Sequence, residues 1–187
     1  AGEDNIMLTG FYGINLGLYQ GNTGDDRYAK PGALPFKLNA KTTYSHDFHT
    51  ITHSVINNMK GGAFYLYPCE PNWIYTPCNF RGLTTIGIHD RIYGNTHMRD
   101  MVPVFMEKLD AEFSLADGSI LTVISSHTGL AVPMPFGEPS RALMMNVFNP
   151  REAQKAWAIA RHETVEFVDD KAQIKLTGKG VDFGNYK

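Results

Sequence analysis

Helical periodicity that recurs along the chain limits the possible folds more than any other feature of the sequence. It is strongest over residues 97–114, where apolar side chains line one face of a helix. The residues of this face are Met98, Met101, Val102, Phe105, Met106, Leu109 and Phe113. Pro103 lies inside the run and predicts a kink. A chain built from such segments is expected to be mainly α.

Capping and terminating residues mark the other predicted helices. Ser45 or Asp47 can cap a helix that runs to about Met59, and Gly61-Gly62 ends it. Further helices are predicted over residues 5–20, 79–94, 140–147 and 151–165. Paired β segments are predicted at 120–125 and 130–134, and one or two strands with a polar tail at 167–187. Helices in sequential pairs with small β-hairpin excursions fit an (α/α)6 toroid or a large part of one.

Composition sets the size and excludes some partners. The 187 residues have the length of one domain, and at 43% hydrophobic content they can bury a sizeable core. The net charge is −2 and no basic patch is present, so no nucleic acid partner is expected. No apolar run approaches the length of a membrane span.

The two cysteines of the chain, Cys69 and Cys78, frame one short segment. Their spacing is too long for a C-x-x-C redox or zinc motif, but short enough to bring both sulfurs to one pocket. Between them lie the carboxylate of Glu70 and the aromatic rings of Trp73 and Tyr75, which can exclude water. Two thiols and a carboxyl group beside aromatic walls indicate acid/base or nucleophilic chemistry on an apolar substrate.

From the residues alone, three interpretations of the cysteine pair remain open. A disulfide is expected if the chain is secreted. Two inert buried thiols are also possible, because free cysteine packs well as a small hydrophobic residue. The third interpretation is a catalytic pair.

The segment resembles the linalool dehydratase/isomerase family, which carries a C-E-P-N-x(5)-C-N block in an α/α barrel. The matching residues are Cys69, Glu70, Pro71, Asn72, Cys78 and Asn79. The resemblance extends to the Thr23-Gly24-Asp25 turn, to 31–34 and to 126–130. It implies that residues 1–187 form a single α/α-toroid domain, the middle to C-terminal part of such a barrel, without its first helices.

The resemblance implies a cofactor-free lyase or isomerase that dehydrates, isomerises or cyclises an isoprenoid-type alkenol. Cys69 and Cys78 would transfer protons, and Glu70 would set a thiol's protonation or donate to the leaving hydroxyl. Alternatives are a terpenoid or meroterpenoid cyclase on the same scaffold, and a non-catalytic half-barrel that completes a partner chain. A carbohydrate-active toroid is disfavoured by the apolar bias of the chain.

The resemblance also implies a pocket for a small apolar, terpene-like substrate. In the family, the helix that corresponds to residues 5–20 offers a Met and, four residues later, a His. Here Met7 matches the Met, but Phe11 replaces the His. Trp73 and Tyr75 would complete the apolar wall, and His127 lies in a loop of the kind that rims toroid pockets. The missing helices imply an oligomer, or a complex with a chain that carries the rest of the barrel. The apolar face of 97–114 would then be partly exposed in the single chain.

Other histidines invite a metal interpretation. His46, His49 and His53 share a stripe if they lie on one helix, and imidazoles so spaced can bind zinc or copper. Because the resembling family needs no metal, the prediction is that none is bound. His89 and Asp90 are neighbours on a predicted helix and point apart, which predicts a structural salt-bridge role.

Overall fold

The computed structural model describes residues 5–132, 137–163 and 165–174, and within them the chain is mainly helical. The helices are α1 (Ile6–Thr23), α2 (Phe48–Gly61), α3 (Thr76–Tyr93), α4 (His97–Phe113), α5 (Gly137–Met145) and α6 (Pro150–Glu163). The strands are β1 (Leu34–Lys37), β2 (Thr43–His46), β3 (Trp73–Tyr75), β4 (Val123–Ser125), β5 (Ala131–Val132), β6 (Val165–Val168) and β7 (Lys171–Ile174). All strand pairs are antiparallel.

Small residues let α1 and α3 approach each other closely. A Cβ added at Gly10 would come within 3.2 Å of the backbone nitrogen of Gly82, and one at Gly13 would collide with the Thr85 side chain. The Thr85 hydroxyl donates to the carbonyl of Gly10 at 2.7 Å, a bond that needs this proximity. The glycines of α1 therefore serve helix packing, and they hold the start of α1 against the start of α3.

The main core lies between α2, α3 and α4. Phe80 of α3 and Phe105 of α4 are fully buried and meet edge to face, with ring centroids 6.0 Å apart. Met101 and Phe105 are fully buried, so the expectation that this face of α4 is left partly exposed is wrong for both residues. The reason is that α3 and the 144–148 segment cover this face within the chain itself.

A three-stranded sheet of β3, β4 and β5 positions the cysteine segment. Trp73 of β3 pairs with Ser125 of β4, and β3 leads directly into α3. Helix α3 therefore begins at Thr76, three residues earlier than predicted, with Pro77 in its first turn. Pro71 lies in a turn before β3.

Helices α5 and α6 are joined by a buried ionic network. Arg141 of α5 bonds to Glu138 and Glu152, each at 3.4 Å, and the Glu138 carboxylate accepts from the backbone N–H of Ile120 at 2.8 Å. The network fastens the helix pair to the chain that follows α4, so it is a structural feature.

The prediction of a mainly helical fold with small β-hairpins is confirmed, while the toroid and the single-domain boundaries 1–187 stay predictions. The predicted strand 120–125 is shorter, because Ile120 bridges to Ser114 and only Val123–Ser125 pairs in the sheet. Met134 and the predicted polar tail after 174 lie outside the described residues. None of the described helices combines the length and the apolar character needed to cross a membrane.

Candidate active site

A tight turn leaves the first cysteine buried and the neighbouring carboxylate exposed. The Cys69 N–H donates to the carbonyl of Trp73, and the Trp73 N–H donates to that of Glu70, both at 2.9 Å. The turn requires φ of 71° at Asn72, in the left-handed region that Asn tolerates better than most residues. As a result Cys69 is buried while Glu70 is exposed.

Asn79 fastens this turn to the start of α3. It is fully buried, and its amide nitrogen donates to the carbonyls of Tyr67 at 3.1 Å and Tyr75 at 2.9 Å. Its Oδ1 accepts from the Tyr67 N–H at 3.1 Å. The chain on both sides of the turn is thus tied to one side chain. The sequence motif included Asn79, but it gave no sign of this positioning role.

The structure brings the two sulfurs together as free thiols. The two thiols lie close enough to shift each other's pKa, and the backbone of Met7 lies close enough to lower that of Cys69. Cys69 is buried and Cys78 is half-buried in the first turn of α3. The start of α1, the turn and the start of α3 therefore meet near the Cys69 sulfur.

Both thiols are held in their protonated form at neutral pH. Burial raises the pKa of the Cys69 thiol, although Cys78 and the backbone of Met7 oppose this rise. Burial raises the pKa of Cys78 to about 12, and the nearby Cys69 adds to the rise. The negative charge of Glu70 adds to the rise at both sulfurs. The pair accordingly keeps transferable protons at neutral pH.

Tyr75 and Glu70 border the thiols on the solvent side. Burial raises the pKa of the Tyr75 phenol, and the charge of Glu70 raises it further. Glu70 is exposed and near enough to act electrostatically on both sulfurs and on this ring. The carboxylate and the phenol therefore lie beside the sulfur pair.

Apolar side chains of α1 face outward next to the thiols. Met7 is 45% exposed and Phe11 is 38% exposed, and both belong to the turns of α1 that pack on α3. The guanidinium carbon of Arg81 lies 4.1 Å from the centroid of the Phe11 ring. The charge of Arg81 also partly opposes the raised pKa of Cys78. Arg81 was not among the predicted site residues, although its position one helical turn after Cys78 was a usable signal.

Trp73 and His127 lie at the same end of the β3–β4 strand pair. The Ser126 N–H donates to the carbonyl of Asn72 at 2.9 Å, which joins the turn after β4 to the cysteine turn. His127 follows in this turn with its side chain exposed, and its backbone N–H donates to Ser125 Oγ at 3.3 Å. The structure thus brings the His127 segment to the cysteine turn.

A cavity of about 370 Å³ lies behind the cysteine turn, and its lining includes Tyr67, Pro68, Ile74 and Ser126. The Tyr67 hydroxyl bonds to Thr9 Oγ1 at 3.0 Å, and burial raises the pKa of Tyr67 to about 12. The phenol is therefore neutral and anchors α1 to the segment before Cys69. Sequence analysis missed this contact because Thr9 and Tyr67 are far apart in the chain.

The predicted histidine stripe does not form. His46 belongs to β2, where its ring packs on Phe36 with centroids 5.5 Å apart, because α2 begins only at Phe48. His49 and His53 of α2 instead approach His89 and His97.

The salt bridge predicted for Asp90 forms with a residue of the next helix, not with a neighbour in the sequence. Asp90 pairs with His97 Nδ1 at 2.7 Å. One ligand atom from each of His89, Asp90 and His97 lies within 4.8 Å of the others, so these residues can hold a metal ion.

The sequence model of the linalool dehydratase/isomerase family matches residues 1–187, the whole chain. A search of curated proteins gives no significant match. The match covers the cysteine turn, the first helix and the Ser126–Leu130 segment together, and these are the parts that the structure brings to one place.

Proposed function

This chain belongs to the linalool dehydratase/isomerase family, and we propose that it dehydrates or isomerises an isoprenoid-type alkenol by proton transfer through Cys69 and Cys78. Membership of this family supports a lyase or isomerase activity. The roles proposed for Cys69 and Cys78 rest on the geometry of the site. The observation that carries them is the pair of free thiols, close enough to shift each other's pKa, beside the exposed apolar side chains of α1. Sulfur acids next to an apolar surface suit a substrate with one hydroxyl group and a hydrocarbon body.

The first step is protonation of the leaving hydroxyl. Hydroxide is a poor leaving group, so a positioned acid is needed, with a typical gain of roughly 10²–10⁴-fold. One thiol of the pair gives its proton to the hydroxyl oxygen, the C–O bond breaks and its electron pair leaves with water. An allylic cation and one thiolate remain, and Glu70 stays near enough to influence both sulfurs.

The second step removes a proton from carbon. The thiolate takes a proton from the carbon next to the cation, the C–H electron pair becomes the new double bond, and the thiol is restored. A thiol with a pKa as high as that of Cys78, about 12, gives a strongly basic thiolate once it has lost its proton. If water instead adds to another carbon of the allylic cation and gives a proton to the thiolate, the thiol is restored and the alkenol is isomerised. Neither route consumes a cofactor.

The substrate pocket is proposed to consist of Met7, Phe11, Trp73, Tyr75 and His127. Aromatic faces attract a cation by roughly 0.5–2 kcal/mol, so Phe11 and Tyr75 would favour the allylic intermediate over neutral substrate. Phe11 stands where the family carries His, which removes a hydrogen-bonding group and favours a larger or more apolar substrate.

The same aromatic faces give a terpenoid cyclase as the second candidate. A cation held by aromatic rings and screened from water closes onto a distant double bond rather than losing a proton. Product analysis separates the two candidates, because a cyclase yields ring products from a longer isoprenoid alkenol. An acyclic alkene as the product identifies the dehydratase.

The chain is proposed to work with further polypeptide, either as an oligomer or with a chain that carries the rest of the toroid. The support is the outward-facing apolar strip along α1: Met7, next to the thiols, is 45% exposed, and Leu18, further along the helix, is 48% exposed. Light scattering tests this proposal, since a stable, active monomer of 20.9 kDa would contradict it. If a partner carries all the activity, the chain is a non-catalytic half-barrel.

The test of the proposed function is a product assay. The full protein, with any partner that co-purifies, is incubated with linalool in D₂O and the products are followed by mass spectrometry. We expect water loss without added cofactor, and deuterium on carbon when the resulting alkene is hydrated in the reverse direction. Absence of both reactions with linalool and with longer isoprenoid alkenols would contradict the proposal.

A further inference from the structure

Four imidazoles and one carboxylate meet at the end of α3 that is far from the thiols. His89 and Asp90 come from α3, His49 and His53 from α2, and His97 from the first turn of α4. We call this group the imidazole cluster. His89 lies eleven residues after Cys78, which is about 16 Å along a helix. The cluster is therefore separate from the candidate active site.

We propose that the imidazole cluster binds one divalent transition-metal ion, such as zinc, through His89, Asp90 and His97, with His53 as the fourth ligand. The proposal does not depend on the proposed function. One ligand atom from each of the three main residues lies within 4.8 Å of the others. Imidazole nitrogens with a carboxylate oxygen form a ligand set that zinc, copper and nickel accept.

The arrangement of the rings supports a common centre. The ring centroids of His53, His89 and His97 form a nearly equilateral triangle, with sides of 6.1, 6.0 and 6.4 Å. Zinc–nitrogen bonds of about 2.0–2.1 Å place the rings of a tetrahedral site at about 5–6 Å from one another. Small side-chain rotations therefore close the triangle on an ion, and the exposed His53 can make the largest rotation.

Hydrogen bonds prepare His89 to act as a ligand. Its Nδ1 lies 3.3 Å from the amide nitrogen of Asn95, which can only donate, so Nδ1 carries a lone pair. Its Nε2–H accordingly donates to His49 Nδ1 at 2.9 Å. The bond to His49 fixes the ring, as the partners of metal-binding imidazoles do, and on binding the Nδ1 lone pair exchanges its bond from the exposed Asn95 for the ion. Burial also lowers the pKa of His89 to about 4, which keeps the ring neutral.

Asp90 is fixed in the same way. Its Oδ2 accepts from the Met98 N–H at 2.7 Å, which anchors the carboxylate at the start of α4, and its Oδ1 accepts from His97 Nδ1 at 2.7 Å. On binding, the cation takes the place of the proton between His97 and Asp90, and Nε2 of the same ring takes up a proton, so the imidazole stays neutral. The ion would then join α2, α3 and α4, and its role would be structural.

This proposal revises the prediction of a chain without metal. That prediction considered His46, His49 and His53, which a single helix was expected to align. The proposed ligands come from three helices, and two of the stripe residues have other roles: His46 is in β2, and His49 supports His89. The cofactor-free chemistry proposed at the thiols is unaffected.

The test is zinc binding by the full protein after treatment with a chelator. Calorimetry with zinc chloride is expected to give one ion per chain with a micromolar or lower Kd. His97→Gln is expected to weaken binding at least about 100-fold and His53→Ala about tenfold, whereas the matched control His162→Ala, on the exposed face of α6, leaves it unchanged. Circular dichroism checks that each variant is folded, and His53→Ala removes only an exposed side chain.

X-ray absorption of the zinc-loaded protein keeps the test decisive if His97→Gln fails to fold. The proposal predicts nitrogen and oxygen neighbours at about 2.0–2.1 Å, whereas a site at the cysteines would show sulfur at about 2.3 Å. Sulfur neighbours, no stoichiometric zinc at 100-fold the protein concentration, or an affinity that both cluster variants leave unchanged would each overturn the proposal.

Discussion

The two ends of α3 carry different ionisable groups, yet burial has the largest effect on the pKa at both ends. At the first turn the helix dipole would lower the pKa of the Cys78 thiol, and near the last turn it would raise that of the His89 imidazole. The structure shows the reverse at each end: about 12 for Cys78 and about 4 for His89, with burial as the largest cause. A dipole effect of about 0.3–2 kcal/mol cannot offset such shifts, since one pKa unit corresponds to about 1.4 kcal/mol.

The comparison shows how burial gives the two ends different chemistry. At both ends the neutral form is favoured, but a neutral thiol is an acid, whereas a neutral imidazole offers a lone pair. The thiols face an exposed apolar strip and lie close enough to shift each other's pKa. The imidazoles are fixed by partners from three helices. One end is therefore suited to moving protons, and the other to holding an ion.

Asn79→Ala should have the largest effect, because it loosens the thiol end alone. The change leaves the Tyr67 N–H and the carbonyls of Tyr67 and Tyr75 without their buried partner. We expect the free energy of unfolding to fall by about 3 kcal/mol in urea titration, since each unpaired buried group costs about 1–3 kcal/mol. Asn57→Ala on the exposed face of α2 is the control and should stay within about 0.5 kcal/mol. Equal losses in both variants would disprove the positioning role.

The second-largest effect should come from alkaline pH, which removes the stabilising contribution of the protonated Cys78 thiol. The folded pKa of Cys78 is raised from its ordinary 9.0 to about 12, so its stabilising effect is complete below pH 9 and is lost as the pH rises towards 12. Between pH 7 and 10.5 the wild type should lose about 2 kcal/mol more than Cys78→Ala. Urea midpoints at the two pH values measure this difference. Parallel curves for the two proteins would show that the thiol is not shielded as described.

Arg81→Met should have a smaller effect. The variant keeps the stem that packs on α1 but removes the cation that lies over Phe11 and opposes the raised pKa of Cys78. We expect a loss of about 0.5–1 kcal/mol in stability and slower alkylation of Cys78 by iodoacetamide. Arg91→Met, on the exposed surface near the other end of α3, is the control. Faster alkylation in Arg81→Met would contradict the electrostatic role.

The thiol end was largely predictable, because its motif lies in one short segment. The Cys69–Asn79 block identified the cysteine pair and the nearby carboxylate, and periodicity placed α4 correctly. The start of α3 was misplaced because the short strand β3, which pairs with β4, leads directly into the helix.

The imidazole end could not be predicted in the same way. His49, His89 and His97 are brought together only by the packing of three helices. The spacing of residues within one segment of the sequence does not indicate such packing. The mistaken stripe followed from extending α2 backward over His46, which belongs to a β-hairpin.

Turnover of the two single cysteine variants and the double variant tests the central claim most directly. If Cys69 and Cys78 act as one proton-transfer unit, Cys69→Ala and Cys78→Ala each lower kcat by at least about 100-fold, and the double variant is no slower than the worse single one. Unfolding curves close to wild type are expected for both single variants. Full activity in either single variant, or losses that multiply in the double variant, would contradict the shared role of the thiols.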